Sequence, residues 1–328
     1  MRPAIIQKAL SAAVSVQQPV FLWGSPGIGK SSIVKDVAKQ LGMKLIDLRL
    51  SLLDSVDLRG FPHMIDGVMH FATPSFLPRD PDSKGILFLD EMNNARPDTQ
   101  SAAYQLVLDR SIGEYNLPDG WVVIAAGNRD HDGGHTHSMA APLANRFVHF
   151  ECEVNFDDWR AWAMATGIAP EIVNFISFRP ALLDDFENAN DKKAFPTPRS
   201  WDFVNRILSG NADAEVERAL IAGAVGDGAT AEFLAFLKIY RNLPNPDAVL
   251  MNPSKAAVPT DLATLYALCG ALAARASEAN FGRLLEYCER LKEEFQMLTI
   301  RDAVMRKKEL SHTQEFANWS IKNAHLLV

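Results

Sequence analysis

One lysine, two hydroxyls and a pair of adjacent carboxylates stand out as groups that could do chemistry. Lys30 closes the run Gly24-Ser25-Pro26-Gly27-Ile28-Gly29-Lys30-Ser31, with Ser32 directly after it. The spacing G-x-x-x-x-G-K-S suits a phosphate cradle. Glycines let backbone N–H groups close around an anion without Cβ clashes. A helix that starts at the lysine adds the partial positive charge of its N-terminus. Lys30 would then supply a point charge to the β- and γ-phosphates of ATP, and the Ser31 hydroxyl a ligand for Mg²⁺. Gly24 to Ser32 are therefore the expected nucleotide-binding residues.

The carboxylates follow about sixty residues later in Gly85-Ile-Leu-Phe-Leu-Asp90-Glu91. An apolar strand that ends in two acids can divide the labour, with Asp90 on the metal and Glu91 as the base that orients water. A third strand, in Trp121-Val-Val-Ile-Ala-Ala-Gly-Asn128, delivers an amide that could hold the attacking water or the γ-phosphate.

These groups meet only if the strands that carry them lie side by side. Five short apolar runs (PVFLW, KLIDLRL, GILFLD, GWVVIAA and FVHFECEV) alternate with helical patterns up to about residue 154. Fully apolar runs between helices imply a buried parallel sheet, and ligands bind at the carboxyl ends of such strands. The fold expected is thus α/β up to there. From Asn155 onward the strand signals stop and helices follow. Asn242 to Thr260 carries Pro244, Pro246, Pro253 and Pro259 and cannot be one helix. Beyond it, Asp261–Arg275, Phe281–Leu291, Phe295–Lys308 and Thr313–Ala324 read as amphipathic helices.

The 328 residues are 48% hydrophobic and 22% charged, which excludes a disordered chain, and the net charge of −7 argues against a general nucleic-acid or membrane-surface binder. Cys152, Cys269 and Cys288 have no paired spacing and suit buried thiols in a reducing compartment. No run is long and apolar enough for a membrane span or a signal peptide, so a cytoplasmic protein is expected.

Together GSPGIGKS, ILFLDE, AAGN, the Arg-Phe of PLANRF and PTPRSW resemble the AAA+ superfamily, and SVDLRGFP resembles its MoxR-like branch. The resemblance covers roughly residues 18–209. It implies a P-loop core with strand order 5-1-4-3-2 in residues 1–154, a helical lid in 155–228, and leaves 229–328 as a helical C-terminal extension. It also implies ATP hydrolysis in a homo-oligomeric ring, usually a hexamer. The ring would act on a protein client, often with a partner containing a von Willebrand factor A domain. Arg146 is similar to the arginine finger that reaches a neighbour's γ-phosphate, and Arg199 to the lid arginine that senses nucleotide. Arg129 stands where the family often has proline, and Arg110 lies near the intersubunit side by analogy. Both compete with Arg146 for the finger role. A nucleic-acid motor built on the same core is the alternative function.

Other segments carry weaker signals. His63–Phe71 has an Asp66-Gly67 hairpin turn, and Ser111–Trp121 reads as a second hairpin. In MoxR-like proteins such insertions sit near a central pore. The loop Asp130-His131-Asp132-Gly-Gly-His135-Thr-His137 has metal-binding residue types without a standard ligand spacing. Ala181–Phe195 reads as a polar loop, and Arg301–Lys308 as a solvated basic helix face.

Overall fold

Strand-forming runs rich in Val, Ile, Leu and Phe are confined to the first half of the chain, and the sheet is built there. The computed structural model describes residues 1–129, 132, 139, 141–189, 192–210 and 212–326. The chain divides into two units, Met1–Asn155 and Phe156–Val328.

The first unit runs α1 (Pro3–Ser15), β1 (Val20–Trp23), α2 (Lys30–Gln40), β2 (Lys44–Arg49), α3 (Ser55–Arg59), β3 (Phe61–Ile65), β4 (Val68–Ala72), β5 (Gly85–Asp90), α4 (Pro97–Asp109), β6 (Ser111–Ile112), β7 (Tyr115–Asn116), β8 (Trp121–Gly127), α5 (Ala141–Ala144) and β9 (Val148–Glu151). Five strands pair in parallel in the order β2-β5-β8-β1-β9. Counted along the chain and read from the β9 edge, this is the expected order 5-1-4-3-2.

β5 and β8 are buried along their whole length. Their alternate residues face two helical layers. On one side Val20, Leu22, Ile86, Phe88 and Ile124 pack with Ile6 and Leu10 of α1 and Val34 and Val37 of α2. On the other, Phe21, Leu87, Leu89 and Val123 pack with Ala102, Ala103 and Leu106 of α4. Burying each such large side chain contributes about 1.5–3 kcal/mol against exposure, which fixes the register because a one-residue slip would exchange the two faces.

β3 and β4 form the expected hairpin, with Ile65 paired to Val68 and positive φ at Asp66 (50°) and Gly67 (78°). The second hairpin is shorter than the sequence implied. It closes within Ser111–Asn116, and Trp121 already opens the central strand β8.

The second unit is helical throughout its described residues: α6 (Phe156–Thr166), α7 (Pro170–Phe178), α8 (Pro198–Leu208), α9 (Ala214–Val225), α10 (Asp227–Arg241), α11 (Pro246–Met251), α12 (Leu262–Arg275), α13 (Phe281–Cys288), α14 (Glu293–Arg306) and α15 (Gln314–Lys322), with short 3₁₀ turns between some of them. The expected lid boundary at residue 228 falls inside α10, whose Phe233 packs on Phe175 of α7 at 5.2 Å between ring centres. The proline-rich segment holds one short helix, α11, capped by Asn245, whose side chain accepts from the Asp247 N–H.

Described residues of the polar stretch 181–195 are tied into the unit. Leu183 is buried, Phe186 meets Phe195, and the Trp201 indole donates to the Leu182 carbonyl at 2.7 Å. The basic segment departs from the expected solvated face. Arg301 and Lys308 are exposed, but Lys307 donates to the Ala276 carbonyl at 2.7 Å, and Asp302 forms a fully buried ion pair with Arg160 of α6. No helix among the described residues is long and apolar enough to cross a membrane.

Candidate nucleotide site

Because all five sheet strands run parallel, their carboxyl ends emerge along one edge. The register sets Trp23 beside Gly127 and Glu151, and Arg49 beside Asp90. The cradle leaves β1, the acids end β5 and Asn128 follows β8. The cradle, the two acids and Asn128 are thus carried to one place by the pairing of β5, β8 and β1, whereas Arg146 precedes β9 at the opposite edge of the sheet.

The loop Gly24–Gly29 joins β1 to α2, which starts at Lys30. Gly24 has φ +152°, and a Cβ there would stand 2.5 Å from the Ile28 Cδ1 and 2.8 Å from the Cys152 carbonyl oxygen. Only glycine fits where the loop crosses the end of β9. Ser31 and Ser32 occupy the first turn of α2, where unpaired N–H groups point out of the helix end. Cys152 is buried beneath the cradle. Burial pushes its thiol up to about 11, against a smaller opposing pull from Lys30, so it stays a neutral packing group.

Lys30 is buried, 8% exposed, and its ammonium donates to the carbonyls of Gly24 (2.5 Å) and Ser25 (3.1 Å) and to the Asn128 Oδ1 (3.1 Å). The Ser31 hydroxyl donates to the Asp90 Oδ2 at 2.8 Å. A hydroxyl and a carboxylate at this distance, next to a helix N-terminus, are an oxygen donor set that fits Mg²⁺ beside a triphosphate. The other Asp90 oxygen accepts from the Glu91 N–H at 2.9 Å.

Glu91 sits in the left-handed region at φ 54°, ψ 35°. That conformation is uncommon for a non-glycine residue. It turns the chain sharply out of β5, and the Glu91 carboxylate accepts from the Ser51 hydroxyl, just past β2. Two residues on, Asn93 is buried and pairs with the backbone of Asn128. Neither Ser51 nor Asn93 is flagged by sequence motifs. Their one sequence signal is position, a polar residue in the first turns after a strand of the parallel sheet.

The three candidate arginines of the first unit differ in what they hold. Arg110, with φ 54°, donates to the carbonyls of Pro118 (2.9 Å) and Trp121 (2.8 Å) and ties the start of β8 to the end of α4. Arg129 is engaged by Asp132 at 3.1 Å, by the Ser25 hydroxyl and by Glu151 at 3.6 Å. Arg146, in the turn between α5 and β9, is exposed and makes no side-chain ion pair among the described residues. Arg199 lies in the second unit, exposed in the first turn of α8, a helix capped by Thr197.

Asp132 is bound up with Arg129, whereas Asp130, His131, His135 and His137 lie outside the described residues. No cluster of metal-ligating side chains occurs among the described residues.

Residues 20–152 match the family described as ATPase family associated with various cellular activities (AAA). Among solved structures, a mutant of RuvB from Thermotoga maritima matches at 15% identity over 82% of this chain and 81% of that one, with a TM-score of 0.39. NtrX from Brucella abortus in complex with ADP matches at 15% identity over 99% of this chain and 68% of that one, with a TM-score of 0.37.

Proposed function

We propose that this chain, an ATPase whose residues 20–152 form an AAA domain, hydrolyses ATP within a homo-oligomeric ring, a hexamer, to remodel a protein client. The observation that carries the site assignment is a pair of direct contacts, Lys30 to Asn128 and Ser31 to Asp90, which unite the ends of three neighbouring strands around one helix N-terminus.

In this mechanism the N–H groups of Gly24 to Ser32 and the Lys30 ammonium bind the triphosphate. Ser31 and Asp90 would hold Mg²⁺, which supplies Lewis-acid charge to the phosphate oxygens. Glu91 leaves Ser51 and takes a proton from water as the water oxygen bonds to the γ-phosphorus. The β,γ-bridging bond breaks, with its electrons going to ADP. The Asn128 amide orients the water. Arg146 from the neighbouring subunit stabilises charge on the transferring group, a contribution of about 10³–10⁵ in rate for arginine fingers. Its exposed side chain supports that role, because a group meant for a neighbour's site cannot be spent on its own chain. Arg199 reports nucleotide to the helices that follow residue 155.

The likeness of SVDLRGFP to the MoxR-like branch supports a protein client, with a von Willebrand factor A domain protein as partner, in the cytoplasm. Mixing tests the shared site. Glu91→Gln and Arg146→Ala should each bind ATP and assemble without turnover, and a mixture of the two should regain part of it. If no ratio of the two regains turnover, the site is not shared between subunits. Turnover stimulated by DNA and falling steeply with salt would instead favour a nucleic-acid motor.

A further inference from the structure

The β5–β8 ladder ends at the pair Leu89 and Ala125, yet the two chains remain tied beyond it. β5 gives way to Asp90, the left-handed Glu91 and a 3₁₀ turn, Met92–Asn94. β8 continues through Ala126 and Gly127 to Asn128. Into this gap Asn93 inserts its carboxamide. Its Nδ2 donates to the Asn128 carbonyl at 2.7 Å, and its Oδ1 accepts from the Asn128 N–H at 3.1 Å. The side chain offers one donor and one acceptor to a single residue, as a facing peptide in a ladder would. It is 1% exposed.

We infer that Asn93 is a positioning residue for hydrolysis: its carboxamide clamps the peptide of Asn128 and so fixes the Asn128 amide relative to the Asp90–Glu91 pair. Three features carry this. The clamp stands two residues from Glu91 and acts on Asn128 itself, so it ties the two elements by direct hydrogen bonds next to both groups. Asn128, so held, places its Oδ1 3.1 Å from the Lys30 ammonium. Gly127 leaves the room: a Cβ there would stand 2.3 Å from the Asn93 Oδ1 and 2.8 Å from its Cγ. Aspartate at position 93 keeps the shape and the acceptor but turns the donor into an oxygen facing the Asn128 carbonyl.

The inference rests on the role proposed for Asn128, and the experiment separates the two. Steady-state ATP turnover is measured for Asn93→Asp, Asn128→Ala and the double variant, with melting temperatures as a folding control. Misplacement of a water-orienting group by about 1 Å can cost about 10²-fold. Asn93→Asp should therefore lower kcat about 10–100-fold while KM for ATP stays within about 3-fold, since the cradle residues are unchanged and Lys30 keeps its bonds to the Gly24 and Ser25 carbonyls. In the Asn128→Ala background the same change should cost less than about 3-fold, because the group it positions is gone. Gly127→Ala, which pushes on the clamp from the other side and keeps Asn93, should reproduce the kcat loss if Asn93→Asp folds poorly.

Hydrogen exchange at the Asn128 amide gives a readout independent of turnover, with at least about 10-fold faster exchange expected in Asn93→Asp. Multiplicative losses in the double variant, or unchanged exchange, would overturn the clamp. Full turnover by Asn128→Ala with exchange still accelerated in Asn93→Asp would overturn the catalytic role of Asn128, and with it the positioning role, while leaving the clamp as structure only.

Discussion

The ion pair of Arg160 and Asp302 sets a stability experiment whose outcome can be worked out beforehand. Their side chains are 1% and 3% exposed, so both charges have been taken fully out of water. For such a pair, removing one partner costs about 3–5 kcal/mol, because the other charge is left buried and uncompensated. The surroundings make the two removals unequal. Asp302 also faces Arg301 and Arg306, which continue to favour its charged form when Arg160 is lost. Beyond Asp302, Arg160 has Asp157 and, at 5.8 Å, the Phe156 ring to favour its charge, and Arg301 opposes it. Asp302→Leu should therefore fall near 5 kcal/mol and Arg160→Met near the lower end, about 3 kcal/mol. The second unit has about 170 residues, for which the unfolding entropy is about 0.36 kcal/mol per kelvin, so the expected drops in Tm are roughly 14 °C and 8 °C. The double variant should lose much less than the sum, because a buried pair replaced by apolar groups of similar volume is close to neutral. Urea and thermal unfolding of the four proteins, followed by circular dichroism, measure this. Additive losses, or a loss below about 1 kcal/mol for Asp302→Leu, would refute the view that burial of the pair governs the cost.

Three shorter tests address the Glu91 carboxylate, the cradle and the buried thiols. Ser51→Ala removes the hydroxyl that holds the Glu91 carboxylate, a charge-assisted bond of about 1.5–3 kcal/mol. Basal ATP turnover should rise about 3–10-fold, and a fall would show that Ser51 orients the base rather than restrains it. Gly24→Ala forces a Cβ against the Cys152 carbonyl and should weaken ATP binding at least about 10-fold by calorimetry, with a stability loss of about 1–3 kcal/mol; undiminished affinity would mean the loop adapts. The three thiols are buried, and burial pushes Cys152 up to about 11, Cys269 up to about 12 and Cys288 higher still. A raised thiol pKa favours the neutral form, so at pH 8 the thiolate fraction of Cys152 falls to about a thousandth, against roughly a quarter for an ordinary thiol. Native protein at that pH should resist iodoacetamide by mass spectrometry at least about 100-fold better than urea-unfolded protein, and rapid modification of Cys152 would contradict its burial.

What could be read from the sequence was whatever is local along the chain. The cradle is one contiguous run, so its residue types and spacing state its chemistry without any tertiary contact. Buried parallel strands are continuous apolar runs, and GILFLD and GWVVIAA read as such because both faces are covered. The first and last helices after the proline-rich segment carry local start signals, because Asp261 and Thr313 cap them where the apolar period begins. What depends on register could not be read. Ser51 reaches Glu91 only because β2 pairs with β5 so that Arg49 faces Asp90. Asn93 reaches Asn128 only because β8 lies beside β5. Arg160 follows Asp157, Asp158 and Trp159 on α6, and its partner lies on α14, far along the chain. Competition between Arg110, Arg129 and Arg146 was open in the sequence because an arginine's reach is not written in its neighbours. The structure ties the first two into their own chain.

Lys30 donates to the Gly24 carbonyl, the Ser25 carbonyl and the Asn128 amide oxygen. Under the proposed function, a phosphate oxygen that engages Lys30 competes with these acceptors for its donors. The two carbonyls belong to the cradle itself, six and five residues before the lysine. The Asn128 amide can turn about its side-chain bonds while its backbone stays held by Asn93. Under the proposed function, a triphosphate that took the Lys30 donor from Asn128 would free the amide oxygen to accept from a water beside the γ-phosphate while its backbone stays in place.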